Sequence, residues 1–220
     1  MNSGSAKNIL GTFTPPRSVM ISTPFLKTLD ERDIRSGVGE MLKVHAIDGA
    51  ASFDSIAGDY DRIFLDEGLM EHYIQRSLEI KKGYIELDEF DRGPRNIFNF
   101  GHSFGHAIEA ATNFAIPHGI AVTIGMDMAT WVSARLGIGG EDHYQRMHPP
   151  LKRNYRSFED HDVPLEPFMA ALAKDKKNVG KGTVTLILPD RNAQVFKDVY
   201  AVDEGFRNLC ATYLGEVRAA

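Results

Sequence analysis

Three histidines lie close together in the middle of this 220-residue chain, and a helix would bring two of them onto one face. His102 and His106 are four residues apart, so a helix that opens at Gly101 places their rings one turn apart on the same side. His118 begins the next apolar run, where a turn would return it toward that face. Neutral imidazole is the commonest protein ligand of zinc, and three protein ligands leave a position for substrate. Because such histidine pairs are also common without shared chemistry, the interpretation depends on what joins them.

A glutamate and a lysine are candidates from an earlier helix. Apolar residues recur at spacings of three and four from Asp30 onward, which predicts a helix that contains Glu40 and Lys43 as neighbours three residues apart. The pair is either a solvated ion pair or part of a site.

A second predicted helix runs from Glu67 to about Ile85 and carries Lys81 on its apolar side. At about 100° per residue, Lys81 falls roughly 20° from Ile74 around the axis. Its amine therefore either extends to the helix end or faces a buried anion.

Further cations flank the histidine segment. Arg95 shortly precedes it, and the planar guanidinium group suits carboxylate and phosphate because it binds them bidentately. Lys176 lies in a lysine-rich, glycine-containing turn at residues 174–182, which is either solvated or able to bind a phosphate.

The remaining pattern predicts a mainly α fold with a small β-hairpin. Residues 2–16 are predicted to form a loop and residues 18–22 a short strand. Residues 120–132 are apolar on nearly every side, which predicts a buried helix, and residues 137–162 are predicted to be polar and irregular. A short helix at 165–173, strands at 183–189 and 193–199, and an amphipathic helix at 203–216 complete the prediction.

Composition excludes several classes of protein. A net charge of -5 argues against a nucleic-acid partner. The single cysteine, Cys210, excludes a cysteine-rich zinc site and an internal disulfide, which fits the cytoplasm. No signal peptide is expected at the start, and the apolar run at 120–132 is too short to cross a bilayer and contains Asp127. We therefore expect a cytoplasmic protein with no membrane partner.

Taken together, the candidates indicate a divalent metal and a small anion. Glu40 and two of the histidines would form an open zinc site that polarises a hydroxyl or carbonyl oxygen. The cations exceed what a metal needs, which favours a highly anionic substrate such as a sugar acid phosphate.

The sequence resembles the sugar phosphate cyclases and, within them, the 3-dehydroquinate synthases. The resemblance is carried by blocks that follow the family's order and spacing through most of the chain: Lys7-Asn8 with residues 9–11, residues 37–43 around Glu40, Glu79-Ile80-Lys81, residues 95–109, His118-Gly119 through Gly125-Met126, and residues 175–178.

The resemblance implies a role for each matching residue. It implies Zn²⁺ or Co²⁺ on Glu40, His102 and His118, and a substrate carboxylate on Lys81 and Arg95. The implied phosphate ligands are Asn99, His106 and Lys176, the residues near ring hydroxyls are Asn8 and Lys43, and the cofactor contact is Thr28. Lys43, His106 and Asn99 are the implied catalytic residues.

The implied reaction uses NAD catalytically: a hydroxyl is oxidised, phosphate is eliminated, the ketone is reduced again, and an intramolecular aldol step closes the ring. The family is commonly homodimeric. The family's other half, an α/β domain with a glycine-rich NAD-binding loop, has no counterpart here. Residues 1–220 are therefore expected to form only the helical metal and substrate domain, and residues 1–28 are expected to be the loop and short strand that connect it to the absent nucleotide-binding domain. Alone, this half is expected to bind zinc but not to turn over.

One departure from the family's pattern lies beside the predicted metal site. Ile120 stands where the family usually has glutamate after His-Gly, so a carboxylate that supports a metal ligand is expected to be missing.

Three other functions are compatible with the sequence. Related cyclases act on sedoheptulose 7-phosphate or glucose 6-phosphate, which carry no carboxylate. Metal-dependent alcohol dehydrogenases share the fold and need no ring of cations. The third alternative is a non-catalytic scaffold domain, which has no reason to retain zinc.

Overall fold

The computed structural model describes residues 17–90, 93–174, 178, 180 and 182–218. Within these residues the chain is mainly helical, with one two-stranded antiparallel sheet. The α-helices and strands are α1 (Glu31–Asp48), α2 (Ala50–Gly58), α3 (Tyr60–Ile63), α4 (Glu67–Leu87), α5 (His102–Ala111), α6 (His118–Arg135), α7 (Glu141–Tyr155), α8 (Leu165–Ala173), β1 (Thr183–Pro189), β2 (Val195–Ala201) and α9 (Glu204–Thr212). Shorter 3-10 segments are Thr23–Thr28, Pro94–Asn99 and Arg156–Phe158, and a π-helical turn, Tyr213–Val217, follows α9.

Helix α6 is the central element, and its burial confirms the predicted core helix. Every residue from Gly119 to Ser133 is buried, because apolar side chains occur on all sides of this helix. Helices α1, α5 and α7 pack around it. His118 is its first residue and is therefore held by the best-packed element of the fold.

Glycines allow α1 to lie very close to α6. A Cβ atom on Gly119 would lie 1.9 Å from the carbonyl oxygen of Ser36, and one on Gly39 would lie 2.3 Å from the carbonyl oxygen of Gly119. No side chain fits at such distances, so backbone touches backbone here. The Gly119 amide also donates a 2.8 Å hydrogen bond to Ser36 Oγ. Residues next to these glycines on the two helices are thereby brought together.

Asp127, in the middle of α6, is fully buried and joins three parts of the chain. Tyr155 and Tyr213 each donate a 2.7 Å hydrogen bond to its Oδ2 atom, and His148 Nδ1 lies 2.9 Å from Oδ1. A buried carboxylate needs such partners, because desolvating it alone is costly. The network connects α7 and the C-terminal turn to the core helix.

The hairpin differs slightly from its prediction. Strand β1 begins where expected, and β2 occupies Val195–Ala201 rather than 193–199, with Thr183 paired to Ala201. Ala193 has a positive φ of 61° and belongs to the turn. Ser103 and Ser133 donate hydrogen bonds to β1 carbonyls and attach the hairpin to α5 and α6.

The prediction of an irregular segment at 137–162 is wrong, because α7 occupies most of it. Its charged residues and its two internal prolines, Pro149 and Pro150, conceal the helix. The buried stripe of α7 consists of Tyr144, Met147, Leu151, Asn154 and Tyr155. Packing of that stripe against α6 outweighs the loss of helical hydrogen bonds at the prolines.

The expected strand at 18–22 is also absent among the described residues, where irregular backbone leads into the 3-10 segment Thr23–Thr28 instead. A strand needs a partner, and the described part of the chain pairs β1 only with β2. None of the described helices combines the length and the apolar character that a membrane span requires.

Candidate metal and anion site

The structure brings Glu40, His102 and His118 together, although they lie on three different helices. Glu40 Oε1 is 3.8 Å from His102 Nε2 and 3.7 Å from His118 Nε2. The close contact of α1 with α6 places Glu40 beside the start of α6. The left-handed conformation of Gly101, with φ of 75°, begins α5 so that His102 faces them.

Each of these two imidazole rings is oriented by a contact of its Nδ1 atom, while its Nε2 atom lies near Glu40. His102 Nδ1 is 3.2 Å from the carbonyl oxygen of Phe100, and His118 Nδ1 is 3.0 Å from Glu109 Oε2. In a neutral ring, donation from Nδ1 to an acceptor leaves the Nε2 lone pair free. Burial first, and then the charge of Lys43, lowers the pKa of His102 to about 3, so this ring is neutral near pH 7. Its Nε2 lone pair faces Glu40.

Glu40 is ionised, and one of its carboxylate oxygens accepts no hydrogen bond from the described residues. Burial raises its pKa, but Lys43 Nζ, 2.8 Å from Oε2, outweighs this effect and the net pKa is lowered. Lys43 is itself only 4% exposed. Glu40 Oε1 is buried and has no hydrogen-bond partner among the described residues. A buried, unpartnered carboxylate oxygen is costly unless a cation reaches it.

The two distances from Glu40 Oε1 are close to the ligand spacing of a zinc site. Zinc binds imidazole nitrogen and carboxylate oxygen at about 2.0–2.2 Å, and tetrahedral ligands on such bonds are about 3.4 Å apart. The observed separations of 3.7 and 3.8 Å from Glu40 Oε1 need only small side-chain adjustments to reach that value. The donor set therefore fits a zinc ion with one position open.

His106 belongs to the same histidine cluster, as its spacing predicts. Its ring centroid lies 5.2 Å from that of His102 and 5.6 Å from that of His118. One ligand atom from each of the three rings falls within 4.8 Å of the others. His106 is exposed, and the shorter distances to Glu40 favour the set that contains the carboxylate.

A cationic pocket of about 210 Å³ adjoins the cluster, lined by Lys43, Lys81, Ile85, Arg95 and Phe98. Lys81 thus faces other cations and does not simply extend to the helix end. The charge of Lys81 also contributes to the lowered pKa of Glu40. Lys43 links the pocket to the metal candidates, because it borders the pocket and contacts Glu40.

Asp88 positions Arg95. Its Oδ2 atom accepts hydrogen bonds from the backbone amides of Gly93, at 2.8 Å, and Arg95, at 3.2 Å. Arg95 Nη1 donates to the carbonyl oxygen of Glu89 at 2.9 Å. These contacts fix the start of the 3-10 segment Pro94–Asn99, so that Arg95 lines the pocket together with Lys81.

The other predicted site residues make local backbone contacts or lie outside the described part of the chain. Asn99 lies at the end of the same 3-10 segment and donates to the carbonyl oxygen of Asn96. Thr28, expected near the cofactor, is exposed and donates to the carbonyl oxygen of Phe25. Asn8 and Lys176 lie outside the described residues, so their predicted roles stay predictions.

Sequence reasoning missed the roles of two carboxylates. Asp88 carries no predicted role, because its hydrogen bonds with the amides of Gly93 and Arg95 join residues that no periodic pattern links. Glu109 is the last residue of the block 95–109 and carries no predicted role of its own, because its contact with His118 depends on the turn between α5 and α6. His118 thus has a carboxylate partner in Glu109, although Ile120 offers none.

Solved structures share this fold. A 2-deoxy-scyllo-inosose synthase, complexed with carbaglucose-6-phosphate, NAD⁺ and Co²⁺, aligns with 98% of this chain and 60% of its own, at TM-score 0.76 and 21% identity. The 2-epi-5-epi-valiolone synthase of Streptomyces hygroscopicus, with NAD⁺ and Zn²⁺ bound, aligns with 94% of this chain and 57% of its own, at TM-score 0.75 and 26% identity. The architecture is therefore that of the sugar phosphate cyclases.

Sequence similarity identifies one family within this class of protein. A family model described as 3-dehydroquinate synthase C-terminal matches residues 37–178, which include Glu40 and all three histidines. The 3-dehydroquinate synthase of Thermoanaerobacter pseudethanolicus is 34% identical over 211 residues, and that of Alkaliphilus metalliredigens is 32% identical over 216 residues. The chain belongs to the 3-dehydroquinate synthase family and matches its C-terminal domain.

The alignments cover most of this chain but a smaller share of each relative. The chain aligns over 90% and 97% of its own length but spans only 59% and 60% of these two relatives. What this chain does by itself is therefore argued from its own residues.

Proposed function

We propose that residues 1–220 form the metal- and substrate-binding domain of a zinc- and NAD-dependent sugar phosphate cyclase of the 3-dehydroquinate synthase type, a carbon–oxygen lyase. The observation that carries the proposal is the unpartnered Glu40 Oε1 atom, which faces the Nε2 atoms of His102 and His118 beside a pocket lined by three cations. The solved relatives with NAD⁺ and Zn²⁺ or Co²⁺ support the choice of cofactors.

Glu40, His102 and His118 would hold the metal, which when bound stabilises negative charge on a substrate oxygen, while NAD accepts and returns a hydride. Lys43 lies between Glu40 and the pocket, where its ammonium group stabilises an oxyanion and holds a proton at Nζ. His106, on the exposed rim, would exchange protons with a leaving phosphate group.

The pocket supports a substrate that carries a carboxylate. Lys43, Lys81 and Arg95 together provide three positive charges around about 210 Å³, which matches one end of a small sugar. A planar guanidinium group beside an ammonium group suits a carboxylate. A seven-carbon sugar acid phosphate fits this pocket better than sedoheptulose 7-phosphate or glucose 6-phosphate, which have no carboxylate.

Substitution of Arg95 tests this assignment. We expect Arg95→Leu, in the zinc-loaded chain, to weaken binding of the sugar acid phosphate about tenfold, because a charge-assisted hydrogen bond contributes about 1.5 kcal/mol. Binding of sedoheptulose 7-phosphate should change little. Isothermal titration calorimetry with both ligands measures the difference, and Arg191→Leu, an exposed site in the hairpin turn, is the control. Equal losses for the two ligands would contradict a carboxylate contact.

Activity assays separate the proposal from its alternatives. The isolated chain is expected to retain about one zinc per chain after dialysis and to release no phosphate from the sugar acid phosphate with NAD. Turnover by this chain alone would refute its restriction to metal and substrate binding. Failure to retain zinc would favour a scaffold, and reduction of a simple ketone without phosphate release would favour an alcohol dehydrogenase. Supplying a nucleotide-binding domain and comparing the three sugar phosphates identifies the substrate.

A further inference from the structure

Glu109 is a buried carboxylate that contacts a metal-ligand candidate. Its side chain is 5% exposed, and its Oε2 atom lies 3.0 Å from His118 Nδ1. His118 is 42% exposed at its side chain, so surrounding packing restrains this ring less than it restrains His102, which is 13% exposed. A specific contact must therefore fix the ring of His118.

The turn between α5 and α6 creates the contact. Asn113 and Phe114 both have positive φ angles, 50° and 62°, which non-glycine residues rarely adopt. The Phe114 amide donates a 2.7 Å hydrogen bond to the carbonyl oxygen of Glu109. This compact reversal brings the last full turn of α5 against the first residue of α6.

We propose that Glu109 is a positioning residue that fixes the tautomer and orientation of His118 for metal binding, an inference that rests on the proposed metal site. Its carboxylate accepts a hydrogen bond from Nδ1–H, so that the Nε2 lone pair points toward Glu40 Oε1, 3.7 Å away. The negative charge also makes the imidazole a stronger donor.

An apolar residue at position 120 is compatible with this arrangement. This side chain is fully buried in the apolar core around α6 and offers no carboxylate to the site. Glu109 reaches His118 from α5, so the first turn of α6 can carry an apolar residue at position 120 while His118 keeps a carboxylate partner. The chain thus keeps a carboxylate–histidine pair while the first turn of α6 packs tightly.

Zinc binding provides the test. We expect Glu109→Gln to lower zinc affinity about tenfold or more, as partners of metal ligands commonly do. Competition titration with a chromophoric chelator measures the affinity. Nitrogen NMR shifts of the histidine rings in the metal-free chain should show His118 with its proton on Nδ1, and this preference should weaken in the variant. Glu141→Gln, which removes an exposed carboxylate paired with Arg135, is the matched control.

A second variant covers the case in which Glu109→Gln does not fold. Glu109→Asp keeps the charge but is too short to reach Nδ1, so the same loss is expected. If a folded variant kept the zinc affinity and the His118 tautomer of the unaltered chain, the proposed role of Glu109 would be overturned. The proposed metal site would not be affected by that result. If the unaltered chain binds no zinc, the metal site itself fails and the inference fails with it.

Discussion

Replacing Glu40 by glutamine is expected to lower the zinc affinity of the chain by more than about 100-fold, the largest effect that we predict for a single substitution. Even the hydrogen-bond partners of metal ligands are worth about 10- to 100-fold in affinity, so losing a charged ligand must cost more. Glutamine preserves the shape of the side chain, and its amide oxygen can still accept the hydrogen bond from Lys43. The loss can therefore be measured on a folded protein, by chelator competition and by metal analysis after dialysis.

Alanine at position 40 would give a less clear answer. It would remove the oxygen that accepts the hydrogen bond from Lys43, which is only 4% exposed, as well as the negative charge, so lost stability would be mixed with lost zinc binding. Glu31→Gln is the appropriate control, because Glu31 lies on the same helix and forms only an exposed ion pair with Arg35. If Glu40→Gln bound zinc as tightly as this control, the three histidines would have to form the site without the carboxylate.

The behaviour of Glu40 with pH follows from the same contacts. Its pKa is lowered in the folded chain, chiefly because Lys43 overcomes the effect of burial. A group with a lowered pKa stabilises the fold above its unfolded pKa and loses that contribution as pH falls through the folded value. The ionised carboxylate is consequently available to a metal throughout the neutral range.

The helices were predictable because their apolar faces repeat with the helical period. Helices α4, α6 and α8 lie where periodicity places them, and Gly101 begins α5 as expected. Helix α7 was missed because two prolines and many charges hide a stripe that only packing against α6 reveals. Periodicity reports which face of an element is buried, and it carries little information when tertiary contacts decide the outcome.

The site was predictable in its residues but not in its connections. The four-residue spacing of His102 and His106 follows from the sequence, whereas the meeting of Glu40 with His118 depends on contact between two helices. The resemblance to a family supplied that pairing. The contact of Glu109 with His118 depends on two residues in left-handed conformations, which no pattern of apolar residues indicates.

Replacing Gly119 by alanine is expected to destabilise the fold by about 3 kcal/mol, at the upper end of typical overpacking costs. The added Cβ would lie 1.9 Å from the Ser36 carbonyl oxygen and 2.6 Å from its carbonyl carbon, and backbone atoms cannot rotate away as a flexible side chain can. Helices α1 and α6 would have to separate. For a chain of this size the expected decrease in melting temperature is about 6–12 °C, measurable by circular dichroism.

The same separation should weaken zinc binding, because it moves Glu40 on α1 away from His118 on α6. Gly37→Ala is the matched control: Gly37 lies on the exposed face of α1, and a Cβ there meets no atom within 4 Å. That change should stabilise the helix by about 1 kcal/mol, since alanine favours helix over glycine. If the Gly119→Ala variant had the same melting temperature as the unaltered chain, the two helices would adjust to the added methyl group without loss of stability. If it were destabilised yet bound zinc normally, the helix contact would support the fold but not set the distance between the ligands.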